Sequence, residues 1–157
     1  MINAKRRVVL KGSLSAGAVG VAISSGLLTP QAVLADWPAA AFTAKTVDDG
    51  LKDLLGTTKL ETSDKIKVKA PDIAENGAVV PVTVEADMDG IQSISIIAAA
   101  NPTPVIASFD LGPEAVGFVS TRIKMAKTAK VIAVVKARDK LYSAAREVKV
   151  TIGGCGG

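Results

Sequence analysis

Val131-Ile132-Ala133-Val134-Val135-Lys136-Ala137, closed by Arg138-Asp139-Lys140 and answered by a run from Leu141 to Ile152, is the stretch that decides the fold. A short run so nearly all apolar fits a central strand covered on both faces. The charged triplet turns the chain, and the return places Val148, Val150 and Ile152 on a single inward side, as the two-residue period of a strand requires.

Upstream the same alternation recurs. Ile66 and Val68 make a short strand that ends at Pro71, and Ala78 to Ala86 sets Val80, Val82 and Val84 against Pro81, Thr83 and Glu85. Ile91 to Ala99, Val105 to Phe109 and Phe118 to Met125 follow, the last with Val119, Thr121, Ile123 and Met125 on one face. Asn76-Gly77, Asp89-Gly90, Asn101-Pro102-Thr103-Pro104 and Gly112-Pro113 supply the turns. A proline inside a strand pattern places the strand holding Pro81 at an edge or a bulge. About seven short strands at close spacing predict a mainly β fold, an immunoglobulin-like antiparallel β-sandwich. One short helix precedes it: Thr46 opens a capping-box-like Thr-Val-Asp-Asp, Val47, Leu51, Leu54 and Leu55 recur at helical spacing, and Gly56 stops the run. Trp37, the only tryptophan, reads as an anchor onto the core or a partner.

The 157 residues, 48% hydrophobic and 22% charged, suit one domain of ordinary size. The net charge of +4 is unevenly placed. Lys5, Arg6, Arg7 and Lys11 precede the first acid, Asp36, and leave 15 basic against 15 acidic residues in the remainder. A neutral domain with 3% aromatics carries neither a phosphate-binding footprint nor a stacking platform, so nucleic acid is not an expected partner. Histidine is absent, which removes His-based dyads and triads, Cys/His zinc sites and haem attachment by C-x-x-C-H. No metal site and no cofactor motif is expected.

Lys5-Arg6-Arg7-Val8-Val9-Leu10-Lys11 followed by the apolar, Gly/Ala/Ser-rich stretch from Gly12 to Leu28, with Val33-Leu34-Ala35 before Asp36, has the layout of an export signal cut after Ala35. Arg6 and Arg7, with Leu10 and Lys11, resemble the twin-arginine pattern, although Lys5 stands where Ser or Thr is usual and Val9 where Phe is usual. At 17 residues interrupted by glycines, the apolar stretch is short for a permanent membrane span. Residues 1–35 are therefore read as a cleaved leader and 36–157 as a single exported domain, periplasmic and free of the membrane. The twin-arginine route carries folded cargo, which suggests export in company with a second chain.

The domain ends in Gly153-Gly154-Cys155-Gly156-Gly157, which holds the only cysteine. Four residues without side chains surround the thiol, so nothing local shields it and the backbone about it has wide freedom. With no second cysteine it stays free, pairs with another molecule or carries a group. No helix N-terminus adjoins it, so its pKa is expected near the ordinary value of about 8.5, with a few per cent thiolate at neutral pH. That suits a group charged inside a partner enzyme rather than in bulk solvent. Residues 153–157 are read as a flexible arm rooted at the end of the last strand. Arg122, Lys124, Lys127 and Lys130 form the densest basic group of the mature part; read functionally they are a docking face for an anionic partner or the carried anion, and a solvated strand face is the more economical reading.

The signal, the sandwich pattern and the terminal Gly-Gly-Cys-Gly-Gly together resemble the SoxY family of sulfur-carrier subunits in periplasmic thiosulfate-oxidising systems. The stretches that carry the resemblance are Lys69-Ala70-Pro71-Asp72-Ile73-Ala74-Glu75-Asn76-Gly77-Ala78-Val79-Val80-Pro81, then Phe118-Val119-Ser120-Thr121-Arg122-Ile123-Lys124-Met125, then Val148-Lys149-Val150-Thr151-Ile152 leading into the arm. The resemblance implies that Cys155 is the covalent attachment point for sulfur and that Gly153, Gly154, Gly156 and Gly157 let partner active sites admit it. It implies a heterodimer with a SoxZ-like subunit and no cofactor beyond the covalently bound sulfur intermediates. A haem-containing SoxAX-like enzyme would load thiosulfate, a SoxB-like hydrolase would release sulfate and, in systems that have one, a sulfane dehydrogenase would oxidise the remaining sulfur. The chain itself would be a non-catalytic substrate handle. Two other readings stand beside it: an exported structural or adhesion module crosslinked through Cys155, and a carrier that uses Gly156-Gly157 as a terminal thiocarboxylate.

Overall fold

The computed structural model describes residues 38–151. The leader with Arg6 and Arg7, Trp37, and Ile152 with the Gly-Gly-Cys-Gly-Gly run lie outside the described residues.

The described residues form two sheets and two helices. In chain order the elements are α1 (Ala39–Thr43), α2 (Val47–Leu55), β1 (Glu61–Thr62), β2 (Ile66–Lys69), β3 (Ile73–Ala74), β4 (Val80–Ala86), β5 (Ile91–Ala98), β6 (Val105–Asp110), β7 (Phe118–Ile123), β8 (Ala129–Ala137) and β9 (Lys140–Val150). The larger sheet has the order β1-β9-β8-β5-β6, with β3 also pairing β9, and the smaller has the order β2-β4-β7. The sandwich is thus as expected. The pairing is antiparallel except where β1 and β3 run parallel to β9.

Burial explains the two kinds of strand pattern. Between the sheets lie Val80, Val82, Val84, Val119 and Ile123 from the smaller one, against Ile94, Ile96, Val131, Ala133, Val135 and Val148 from the larger. On the outer face of the larger sheet, Ile97 and Val134 meet Leu51 of α2, with Val47, Leu55 and Leu60 packed around them. β8 is therefore covered on both faces, and its sequence is nearly all apolar for that reason. The smaller sheet buries one face, and β4 alternates.

The β8–β9 turn is two residues long. Ala137 pairs Lys140, and Arg138 and Asp139 both take positive φ, 47° and 63°. That is the backbone of a type I′ hairpin turn, which matches the twist of the strands it joins. α2 forms as its sequence predicts. The Thr46 side chain accepts from the Asp49 amide at 3.1 Å, its hydroxyl donates to the Asp49 carboxylate at 2.7 Å, and Gly56 closes the helix in the left-handed region at φ 76°.

Three expectations need correction. Among the described residues there are nine strands rather than about seven, because β1 and β3 are two-residue strands whose pairing is set by the backbone of β9. α1 is an additional helix of five residues with no side-chain cap. Pro81 lies in the middle strand of its sheet rather than in an edge strand. Its neighbour β2 reaches only as far as Thr83, paired with Lys69, so beside Pro81 there is no ladder on that side for a missing N–H to interrupt.

Candidate functional site

The predicted site residues Cys155, Gly153, Gly154, Gly156 and Gly157 lie outside the described residues, as do Arg6 and Arg7. What the structure describes is the root from which that segment departs, the end of β9.

β9 is an interior strand. Along one side it pairs β8 from Lys140 to Val148, and along the other it meets β1 at Tyr142 and Ser143 and β3 at Lys149 and Val150. The loop that carries β3 leaves the smaller sheet after Lys69, crosses to the larger one, and returns through Asn76-Gly77 into β4. On β9 it is fixed by three contacts. The Lys149 amide donates to the Asp72 carbonyl at 2.9 Å, the Thr151 amide donates to the Ala74 carbonyl at 3.1 Å, and the Arg146 guanidinium pairs the Asp72 carboxylate at 2.7 Å. The strand's hydrogen bonding therefore continues to Thr151.

On the other side of β9 the backbone ladder of β8 ends at Ala129, opposite Val148. Thr128 takes over with its side chain: its hydroxyl accepts from the Val150 amide at 2.9 Å and donates to the Val150 carbonyl at 3.4 Å. The segment from Lys124 to Thr128 is itself held in place. The Asn101 side chain donates to the Lys124 carbonyl at 2.7 Å and accepts from the Ala126 amide at 2.9 Å, and the Met125 amide donates to the Gly77 carbonyl at 2.7 Å. The Asn76 side chain shapes the turn by accepting from the Ala78 amide at 2.9 Å. Gly77 has no room for a side chain, since a Cβ there would lie 2.5 Å from the Met125 carbonyl oxygen and 2.8 Å from a Val150 methyl.

Arg122, Lys124, Lys127 and Lys130 are all exposed, they are spread over β7, the following segment and β8, and none makes an ion pair with another described residue. Ile73 and Val79, 57% and 50% exposed, are two of the four large apolar side chains that the described residues leave in water, and both belong to the loop at the β9 end. A hollow of about 460 Å³ lined by Ser63, Lys65, Asp87, Met88, Asp89, Arg138 and Tyr142 opens near the start of β9, roughly 23 Å of extended strand from Lys149. Its position separates it from the arm root. Among the described residues no group of three His, Cys, Asp or Glu side chains could hold a metal ion, and no helix is long and apolar enough to cross a membrane.

Reading the sequence missed Thr128, Asp72 and the packing role of Gly77. Asn76-Gly77 announced a turn, but the φ of Gly77 is not in the left-handed region, and its requirement is for close approach rather than for an unusual backbone.

A family model described as "Sulfur oxidation protein SoxY" matches residues 51–155, the span that includes the sandwich, the arm root and Cys155. The solved structure of the sulfur carrier protein SoxY from Chlorobium limicola f thiosulfatophilum is 48% identical, covers 68% of this chain and 97% of its own, and superposes with a TM-score of 0.62. The superoxide reductase (neelaredoxin) of Ignicoccus hospitalis, 18% identical with a TM-score of 0.52 over 59% of this chain and 95% of its own, shares the fold alone. No curated protein matches. With the family model spanning two thirds of the sequence and a SoxY structure superposing on the same sandwich, the chain belongs to the SoxY family of sulfur oxidation proteins.

Proposed function

We propose that this protein is a periplasmic sulfur carrier that holds the intermediates of thiosulfate oxidation covalently on Cys155 and presents them to separate enzymes. The observation that carries the reading is the continuity of β9, an interior strand bonded to Thr151, with a terminal segment whose one reactive group is a thiol between glycines. Cys155 stands four residues past Thr151 and reaches at most about 14 Å beyond it. Glycines on both sides leave a narrow thread around the sulfur.

The chemistry balances on that one atom. A haem-containing partner of the SoxAX type removes two electrons as the Cys155 thiolate joins the outer sulfur of thiosulfate, giving Cys–S–S–SO₃⁻. Water then cleaves the terminal S–SO₃ bond in a SoxB-type hydrolase, releasing sulfate and two protons and leaving Cys–S–S⁻ on the arm. The carrier supplies the thiol and its placement; the partners supply the electron acceptor and the hydrolytic site. A sulfane dehydrogenase, where the system has one, takes the persulfide further. A SoxZ-like subunit completes the carrier as a heterodimer.

Intact mass of the exported protein before and after reductant tests this reading. The expected result is reductant-labile mass steps of a sulfane sulfur and of a thiosulfonate group, both confined to the peptide that contains Cys155. A reducible homodimer with no sulfur adduct would instead support the crosslinked structural module.

Export is proposed to follow the twin-arginine route, with cleavage after Ala35 and the companion subunit carried along. Arg6 and Arg7 changed together to Lys are expected to strand both the carrier and its companion in the cytoplasm, as fractionation and immunoblotting would show. A companion still fully exported would mean that it travels on its own.

A further inference from the structure

Val150, the last residue of β9, is gripped from both sides by groups far from it in sequence. Thr128 bonds both its amide and its carbonyl, at 2.9 and 3.4 Å. The parallel strand β3 bonds the residues that flank it, through Lys149 to Asp72 and through Thr151 to Ala74. Gly77 admits its methyl where any Cβ would collide.

We propose that these groups form a collar that fixes where and in what direction residues 152–157 leave the domain, with the Thr128 hydroxyl as the positioning group. The inference rests on the carrier reading for its purpose, though not for its geometry. Thr128 is exposed, so water would replace its bonds in a frayed strand and its stabilising effect on the domain is small. Its placement matters for another reason. If β9 frayed back to Val148, the tether to Cys155 would lengthen from four residues beyond Thr151 to seven beyond Val148. The effective concentration of a tethered group falls roughly as the −3/2 power of tether length, so the sulfur would be diluted about twofold at any fixed point it has to reach. It would also sweep a wider cone, whereas a docked enzyme needs the reacting atoms within about 3.5 Å.

Thr128→Val keeps the shape of the side chain and removes the hydroxyl, and Thr128→Ser restores it. A nitroxide on Cys155 and a second on Lys59→Cys, on the loop after α2, report the spread of the arm by pulsed electron paramagnetic resonance. The expected result is a broader distance distribution and faster amide exchange at Val150 in Thr128→Val, with both returned to the wild-type values in Thr128→Ser. Loading from thiosulfate by the haem-containing partner is expected to slow by at most about twofold at saturating partner, the bound set by fraying of β9 back to Val148, while alkylation of Cys155 by iodoacetamide is unchanged. Distance distributions of equal width in wild type and Thr128→Val would overturn the collar. A wild-type chain that takes up no sulfur would overturn the carrier reading instead, and the label distances would still judge the collar by themselves.

Discussion

Cys155→Ser is expected to reduce sulfate release from thiosulfate, in a mixture of the carrier with its partner enzymes, to the level seen without carrier. On the proposed carrier chemistry the loss should be complete rather than graded, because there the thiolate alone forms the S–S bond, and a serine hydroxyl neither ionises near neutral pH nor bonds to sulfur under these conditions. Stability should hardly change. Every contact described in the domain is made among residues 38–151, the Thr151 amide giving the last of the described hydrogen bonds between β9 and the β3 loop. A thermal midpoint within about 2 °C of wild type accords with the small effects of substitutions away from the core. Binding of the companion subunit should persist as well, which separates the loss of a handle from the loss of a fold. Sulfate release retained by the serine variant would defeat the assignment of Cys155 and return attention to Gly156-Gly157 as a carboxyl-based carrier.

The parts of the fold that the sequence displayed are those in which side-chain burial has a period. Val80, Val82 and Val84 alternate because one face of the smaller sheet is buried, and Val131 to Ala137 does not alternate because Leu51 and its neighbours cover the second face. α2 was legible at both ends, since Thr46 and Gly56 each make a backbone arrangement that few other residues favour. The missed elements have no such signal. Both residues of β1 are exposed, β3 buries only Ala74, and both strands exist because β9 offers an unpaired side. Pro81 was misplaced because the rule concerns a ladder rather than a strand, and where β2 stops is not written in the proline. The site divides in the same way. Cys155, the proposed attachment point, was singled out by composition alone and lies outside the described residues. The collar joins Thr128 to Val150, 22 residues away, and the Arg146–Asp72 pair beside it spans 74, and pairings at such distances follow from strand order, which no local pattern encodes.

Strand order has its own decisive test in Ile96→Ala. Ile96 is fully buried in β5, paired on one side with Ala107 of β6 and on the other with Ala133 of β8, and it faces the valines of the smaller sheet across the main core. Alanines beside it on both neighbouring strands have little bulk with which to close a gap, and β8, which carries Ala133, is itself held in register by β9. The vacated volume should therefore persist, and the cost should fall in the upper part of the range for such truncations, about 4 kcal/mol. A domain of this size is stable by roughly 5–15 kcal/mol, so the variant should remain folded at room temperature with a much reduced margin. Its thermal midpoint should drop by about 15 °C, at roughly 4 °C for each kcal/mol. Scanning calorimetry or far-ultraviolet circular dichroism would read this directly. The arm root draws on different contacts, namely the Thr128 hydroxyl and the carbonyls of Asp72 and Ala74, so iodoacetamide should alkylate Cys155 in the cooled variant at the wild-type rate. A drop of less than about 5 °C would mean that Ile96 is not the seam between the two sheets, and the sandwich that positions β9 would have to be redrawn.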